Sequence, residues 1–238
     1  MEPIMRVQSM NIFSTANLGL LIATMLVAPS AMGADSDADR KKPACLLIEP
    51  VICRSSEGKD PAPGRLDRKA IESVYALANI QIAWLPPRYL DHTEARDGIA
   101  DWKKVAELGK DRGLWETGPM RLSLVFVNKI NRMRVGSGLG AIDSRPGRPF
   151  GAGGPICLVS QSKKQRNPTI ESYCIAHEIG HCLGLKHLDK DPLHPRDKPS
   201  IMNGGGGKFS YSQRIGKTAL VSSQVDVVRK SKLLWWSR

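Results

Sequence analysis

Aromatic side chains are scarce in this chain, 5% of 238 residues. No stacking platform for bases and no nucleic-acid-binding module can be read from so few rings. Long apolar runs are missing too. The longest, Leu18 to Ala28, has eleven residues, against about 20 needed to span a bilayer. No internal repeat is present. Acidic residues are outnumbered, 23 Asp and Glu against 35 Lys and Arg, for a formal net charge of +12. The cysteines number five, so pairing must leave at least one thiol over.

Residues 1–33 read as a signal peptide. The short apolar run is followed by Ala28-Pro29-Ser30-Ala31-Met32-Gly33-Ala34, small residues that suit signal peptidase, with a cut near Gly33 or Ala34. The leading segment is atypical in that Glu2 opposes Arg6. Residues 34–43 are polar and read as a flexible mature N-terminus. Residues 44–238 are enough for one domain with a substantial core. A secreted or periplasmic location is expected, with no stable membrane insertion after cleavage.

Export suits the cysteines, for which two disulfides and one free thiol are the simplest arrangement. Cys45 and Cys53 are close enough in sequence to bridge locally. Cys174 and Cys182 share one expected helix, and either could pair with Cys157. The mature part keeps its charge of +12, because residues 1–33 hold one Glu and one Arg. Such a surface favours anionic partners: acidic surface polymers, acidic proteins or nucleic acid. The scarcity of aromatics, the lack of a binding module and export set nucleic acid aside, leaving acidic surface polymers or acidic substrates.

The expected elements alternate between helix and strand. Ala44 to Cys53 reads as a strand interrupted by Pro50. Leu66 to Ala78 carries Leu66, Ile71, Val74, Tyr75 and Ala78 at helical spacing. Ile80 to Leu85 alternates like a strand. Residues 86–120 read mostly as loop, with a short helix over Asp101 to Leu108. Arg121 to Ile130 is the strongest strand pattern. Gly136 to Gly154 reads as an exposed loop around an edge strand near Leu139 to Ile142, and Pro155 to Ser160 as a buried strand. Asn167-Pro168 suits a helix start, with the helix running to Leu183. Residues 188–217 are loop-rich. Ser223 and Asp226 resemble a capping box opening a last helix through Leu234. The fold class is α+β: a mixed twisted sheet, a long helix bearing the site, and a loop-rich C-terminal part ending in a helix.

The chemistry is concentrated in His177-Glu178-Ile179-Gly180-His181-Cys182-Leu183-Gly184-Leu185-Lys186-His187, an H-E-x-x-H-x-x-G-x-x-H run. A chance match is expected on the order of 10⁻⁵ times per chain of this composition. His177 and His181 are four apart and share one helix face. Gly184 can take a positive φ, end the helix and turn the chain so that His187 meets the same ion. Three imidazoles with a fourth position left open is the ligand set of a catalytic zinc site rather than a structural one. Glu178 is placed to act as general base without binding the metal. His194, in Leu193-His194-Pro195, fits no ligand spacing and reads as a loop histidine. His92 reads as exposed.

This motif resembles that of the metzincin zinc endopeptidases, in its matrixin-like or pappalysin-like variant. The resemblance implies a methionine-bearing turn downstream, for which Pro199-Ser200-Ile201-Met202-Asn203 is the candidate, with Met202 as the apolar floor beneath the imidazoles. It also implies Zn²⁺ held by His177, His181 and His187, catalysis by Glu178, a protein or peptide substrate, and binding of that substrate along the edge strand near Leu139 to Ile142. Gly204 stands where some branches carry a tyrosine ligand. Some members hold a pro-segment cysteine on the zinc; Cys45 could serve so, although a Cys45–Cys53 bridge is the simpler expectation. Two other classes stay open: a non-catalytic, zinc-stabilised binding module, and a zinc hydrolase of a non-peptide cell-envelope amide. The intact Glu178 speaks against the first, and the ligand spacing against the second.

Overall fold

The computed structural model describes residues 42–97, 107, 121–128, 139–141, 156–161, 168–187, 200–202 and 220–236. The expected signal peptide, the Asp101–Leu108 helix apart from Glu107, His194, and most of the 188–217 segment lie outside them. The described elements are β1 (Ala44–Arg54), α1 (Arg68–Ala76), β2 (Ile80–Trp84), β3 (Arg88–Asp91), α2 (Thr93–Asp97), β4 (Leu122–Val127), β5 (Leu139–Ala141), β6 (Ile156–Ser160), α3 (Pro168–Cys182), α4 (Ser222–Arg229) and β7 (Leu234–Trp236).

The fold is α+β, built on a mixed sheet dominated by parallel pairs. Its strand path is β2-β1-β4-β6-β5, with β3 and β7 also on β1. The pairs β1/β2, β1/β3, β1/β4 and β4/β6 are parallel. Strand β5 is antiparallel to β6 and ends the path, at the edge position expected for residues 139–142.

Strand β1 is continuous through Pro50, not interrupted there. One of its edges pairs with β2 over residues 44–48 and with β3 over residues 51–54. Proline, which lacks an N–H, falls in the gap between these two ladders, where no donor is needed. Strand β3 and helix α2 occupy a stretch expected to be loop. His92 is half-buried rather than exposed; its Nδ1 accepts the Ala95 N–H at 3.4 Å, at the start of α2.

The chain does not end in a helix that runs through Leu234. Helix α4 starts at Ser222, with Val221 as N-cap, and stops at Arg229. Gln224, not Asp226, reaches back: its Oε1 accepts the Val221 N–H at 3.1 Å. Leu234–Trp236 then pairs antiparallel with β1 at Ala44 to Leu46. Aromatic residues suit a strand. Arg229 fixes the approach by donating to the carbonyls of Ala78 (2.7 Å) and Lys42 (2.9 Å) and by lying over the Trp236 ring.

The core lies between one sheet face and helices α1 and α3. It takes Leu46 and Ile48 from β1, Leu124 and Phe126 from β4, and Ile71, Tyr75, Ile175 and Ile179 from the helices. Helix α1 starts at Asp67, whose Oδ1 accepts the Ala70 N–H. Asn79, at φ 54, turns the chain from α1 into β2. No helix among the described residues is long and apolar enough to cross a membrane.

Two cysteine readings fail on this geometry. Cys45 and Cys53 lie eight positions apart on one extended strand, roughly 26 Å at the rise of a strand, far beyond the reach of a disulfide. Alternate residues of β1 (Ala44, Leu46, Ile48) face the helices, so Cys45 and Cys53 face the other side of the sheet. Cys45 is therefore buried away from α3 and does not reach the three histidines. Burial pushes its thiol up from the ordinary value, and raises that of Cys53 to about 12.

Candidate metal centre

Helix α3 is bound at its start to the segment before α1. Thr169 Oγ1 donates to Asp67 Oδ2 at 2.8 Å, and the Asp67 N–H donates to Ser172 Oγ at 2.7 Å. The Arg65 guanidinium meets Glu171 at 3.2–3.3 Å. Gln161, just past β6, exchanges two 2.8 Å bonds with the Arg65 backbone. Midway along, the buried Tyr75 hydroxyl donates to the Ala176 carbonyl at 2.6 Å, one residue before His177.

At its end α3 closes in a Schellman turn. The Leu185 N–H bonds the Gly180 carbonyl (2.9 Å) and the Gly184 N–H the His181 carbonyl (3.0 Å). Gly184 has φ 101, a conformation that favours glycine. The turn brings His187 back over the helix. Its Nε2 lies 3.1 Å from Nε2 of His177 and 3.0 Å from Nε2 of His181, and the three residues place ligand atoms within 4.8 Å of one another.

The outer ring nitrogens explain which way the lone pairs face. His177 Nδ1 is 2.6 Å from the Ile201 carbonyl, and His181 Nδ1 is 2.8 Å from the Leu185 carbonyl. A carbonyl only accepts, so each Nδ1 carries the proton. Both Nε2 atoms are then bare acceptors. His187 Nε2, facing both, can donate one proton at most. Three converging nitrogens with so few protons suit a cation among them. A tetrahedral ion at about 2.0–2.1 Å from each nitrogen would set them roughly 3.3 Å apart, so the observed spacing needs only a small opening. Burial holds His181 below the usual imidazole value; the Leu185 carbonyl works against this and the neighbouring His187 adds to it. The ring thus favours the neutral form that binds metal. The three histidines can hold a metal ion.

Met202 is fully buried beside this centre. A Cβ added to Gly180 would lie 2.8 Å from Met202 Sδ and 3.2 Å from Leu185 Cδ1, so the absent side chain at 180 lets the sulfur press onto the helix between the two histidines. Helix α4 anchors the segment: Ser200 Oγ donates to Gln224 Oε1 at 3.1 Å and accepts the Met202 N–H at 3.2 Å.

Glu178 is buried on α3, at 9% exposure. Its charge acts on Tyr75 and Cys157. Burial, then the neighbouring Cys182, Cys157 and Glu178, raise the Tyr75 hydroxyl well above its ordinary value. The Cys182 hydrogen bond and burial, with Cys182 and Glu178 nearby, do the same to the Cys157 thiol.

The structure thus brings together His177, His181, His187 and Met202, with Glu178 on the same helix. The supports from Tyr75, Asp67, Gln224 and the carbonyls of Leu185 and Ile201 carry no sequence pattern of their own, apart from the α1 periodicity that places Tyr75 inward. Comparison with known proteins found no matching family model and no matching curated relative.

Proposed function

We propose that the protein is an exported zinc-dependent endopeptidase of metzincin type. The observation that carries this reading is the convergence of three Nε2 atoms whose partner nitrogens are tied to backbone carbonyls. That donor set, three neutral imidazoles and no thiolate, suits zinc in a catalytic site. Zinc bound there would act as a Lewis acid on the scissile carbonyl and lower the pKa of a water towards about 7.

The chain's own residues supply the rest. His177 and His181 keep their Nδ1 protons on Ile201 and Leu185, which holds both rings in one tautomer and orientation. Glu178 takes the proton of the attacking water on its carboxylate and returns it to the leaving amine. Met202 provides an apolar floor that bars water and side-chain motion beneath the rings. An extended substrate would add as a further strand along β5, the antiparallel strand ending the sheet path. The parallel-dominated sheet, this edge strand and the Met202 contact with Gly180 all support the metzincin reading.

An unbiased peptide library, incubated with purified protein and read by mass spectrometry beside Glu178→Ala, tests the proposal. We expect cleavage by the wild type and a rate lower by about 10²–10⁴-fold in the variant, with zinc retained in both. Equal cleavage by the two proteins, or none by a zinc-loaded wild type, would contradict it.

A further inference from the structure

All five cysteines are buried and stand as free thiols in the structure, and two of them lie together. Cys157 is the second residue of β6, and Cys182 is the last of α3. Both belong to the apolar cluster between the sheet and the helices, at 0% and 3% exposure, and the Cys157 thiol is hydrogen-bonded to Cys182. Cys174, two turns earlier on α3, is outside that cluster. Cys45 and Cys53 sit on the far side of β1. Of the two cysteines on α3, the structure therefore selects Cys182 as the neighbour of Cys157.

We propose that Cys157 and Cys182 form a structural disulfide that clasps the end of α3 to β6. The oxidant is a small-molecule disulfide such as oxidised glutathione. One cysteine thiolate attacks it, forms a mixed disulfide and releases one glutathione thiolate. The second cysteine thiolate then displaces the other glutathione. One S–S bond breaks and one forms. The two cysteines lose two electrons to glutathione disulfide, and their two protons end on the two glutathione thiols. Both sulfurs are enclosed in the folded chain, so exchange takes place before α3 has finished packing on the sheet. Once enclosed, the bond is shielded from attack by solvent thiols.

The position gives the clasp a consequence. Helix α3 carries His177 and His181, and β6 carries the antiparallel strand β5. A covalent link between α3 and β6 holds the histidines at a set distance from the sheet edge. The bond also joins residues distant in sequence and restricts the unfolded chain. None of this depends on the reaction catalysed or on the metal.

The full chain is unfolded, then refolded in glutathione buffers of defined oxidised-to-reduced ratio. It is quenched by alkylation in denaturant and digested without reduction, and the linkages are read by mass spectrometry. We expect a peptide pair joining Cys157 to Cys182 as the dominant linkage, and no Cys45–Cys53 pair. Wild type unfolded and refolded in dithiothreitol should melt several degrees below wild type refolded in the oxidising buffer, while a Cys157→Ala/Cys182→Ala double variant melts at the same temperature from either buffer. Recovery of both cysteines as alkylated thiols or glutathione adducts at every ratio, or of Cys157 joined to another cysteine, overturns the proposal. If the double variant does not fold, the wild-type linkage map decides alone.

Discussion

The two ends of α3 are held by different means. The first turn is bound by side chains to side chains and loop backbone: Thr169 and Ser172 to Asp67, and Glu171 to Arg65. The last turn is bound by backbone and close packing: the Schellman turn at Gly184, the carbonyls of Leu185 and Ile201 on the two rings, and Met202 against Gly180. Bonds of the first kind share the work of holding the helix on the sheet, and each adds about 1 kcal/mol or less. Contacts of the second kind set where the rings stand, and a metal site tolerates little displacement of its ligands. Damage at the start of α3 should therefore cost stability and spare the metal. Damage at its end should cost the metal first.

His181→Ala is the severest break. We expect metal content to fall to background and activity with it, while the circular dichroism spectrum stays native. Metal analysis after gel filtration checks the first part. Gly180→Ala comes next. Its Cβ would stand 2.8 Å from Met202 Sδ, and overpacking of this kind costs about 1–3 kcal/mol. A urea titration should show that loss, and a chelator competition should show weaker zinc retention. Gly184→Ala forces a side chain into a backbone at φ 101, at a cost of about 1–3 kcal/mol. It should also displace His187, so zinc affinity falls more than stability does. Glu171→Gln, at the other end, weakens a partly exposed ion pair and should cost about 1 kcal/mol or less, with zinc affinity unchanged. A Glu171→Gln protein that lost zinc as readily as Gly184→Ala would erase the distinction between the two ends.

The site was legible in the sequence because its logic is local. Four-residue spacing on a helix, one glycine able to turn left-handed, and a third histidine three positions on describe a geometry with no need of the rest of the chain. Helix α1 and strands β2, β4 and β6 were legible from local signals too: α1 and β2 from their apolar periodicity, β4 and β6 as short, continuously buried runs. The misreadings came where a distant partner decides. Pro50 looked like a break, yet it sits where β2 has ended and β3 has not begun. Leu234 looked like the end of a helix, yet the edge of β1 at Ala44–Leu46 takes Leu234–Trp236 as a strand. Cys45 and Cys53 looked like neighbours because they are near in sequence, but an extended strand carries them apart. Ile201, whose carbonyl orients His177, has no signature, because any residue could supply that carbonyl.

X-ray absorption on protein purified with one equivalent of zinc reads the coordination shell of the metal at His177, His181 and His187. Three imidazole nitrogens and one light oxygen ligand, at about 2.0–2.1 Å, are the expected result, with two imidazoles left after His187→Ala. A sulfur ligand, or a shell unchanged by that substitution, would show that the three histidines do not form the zinc site.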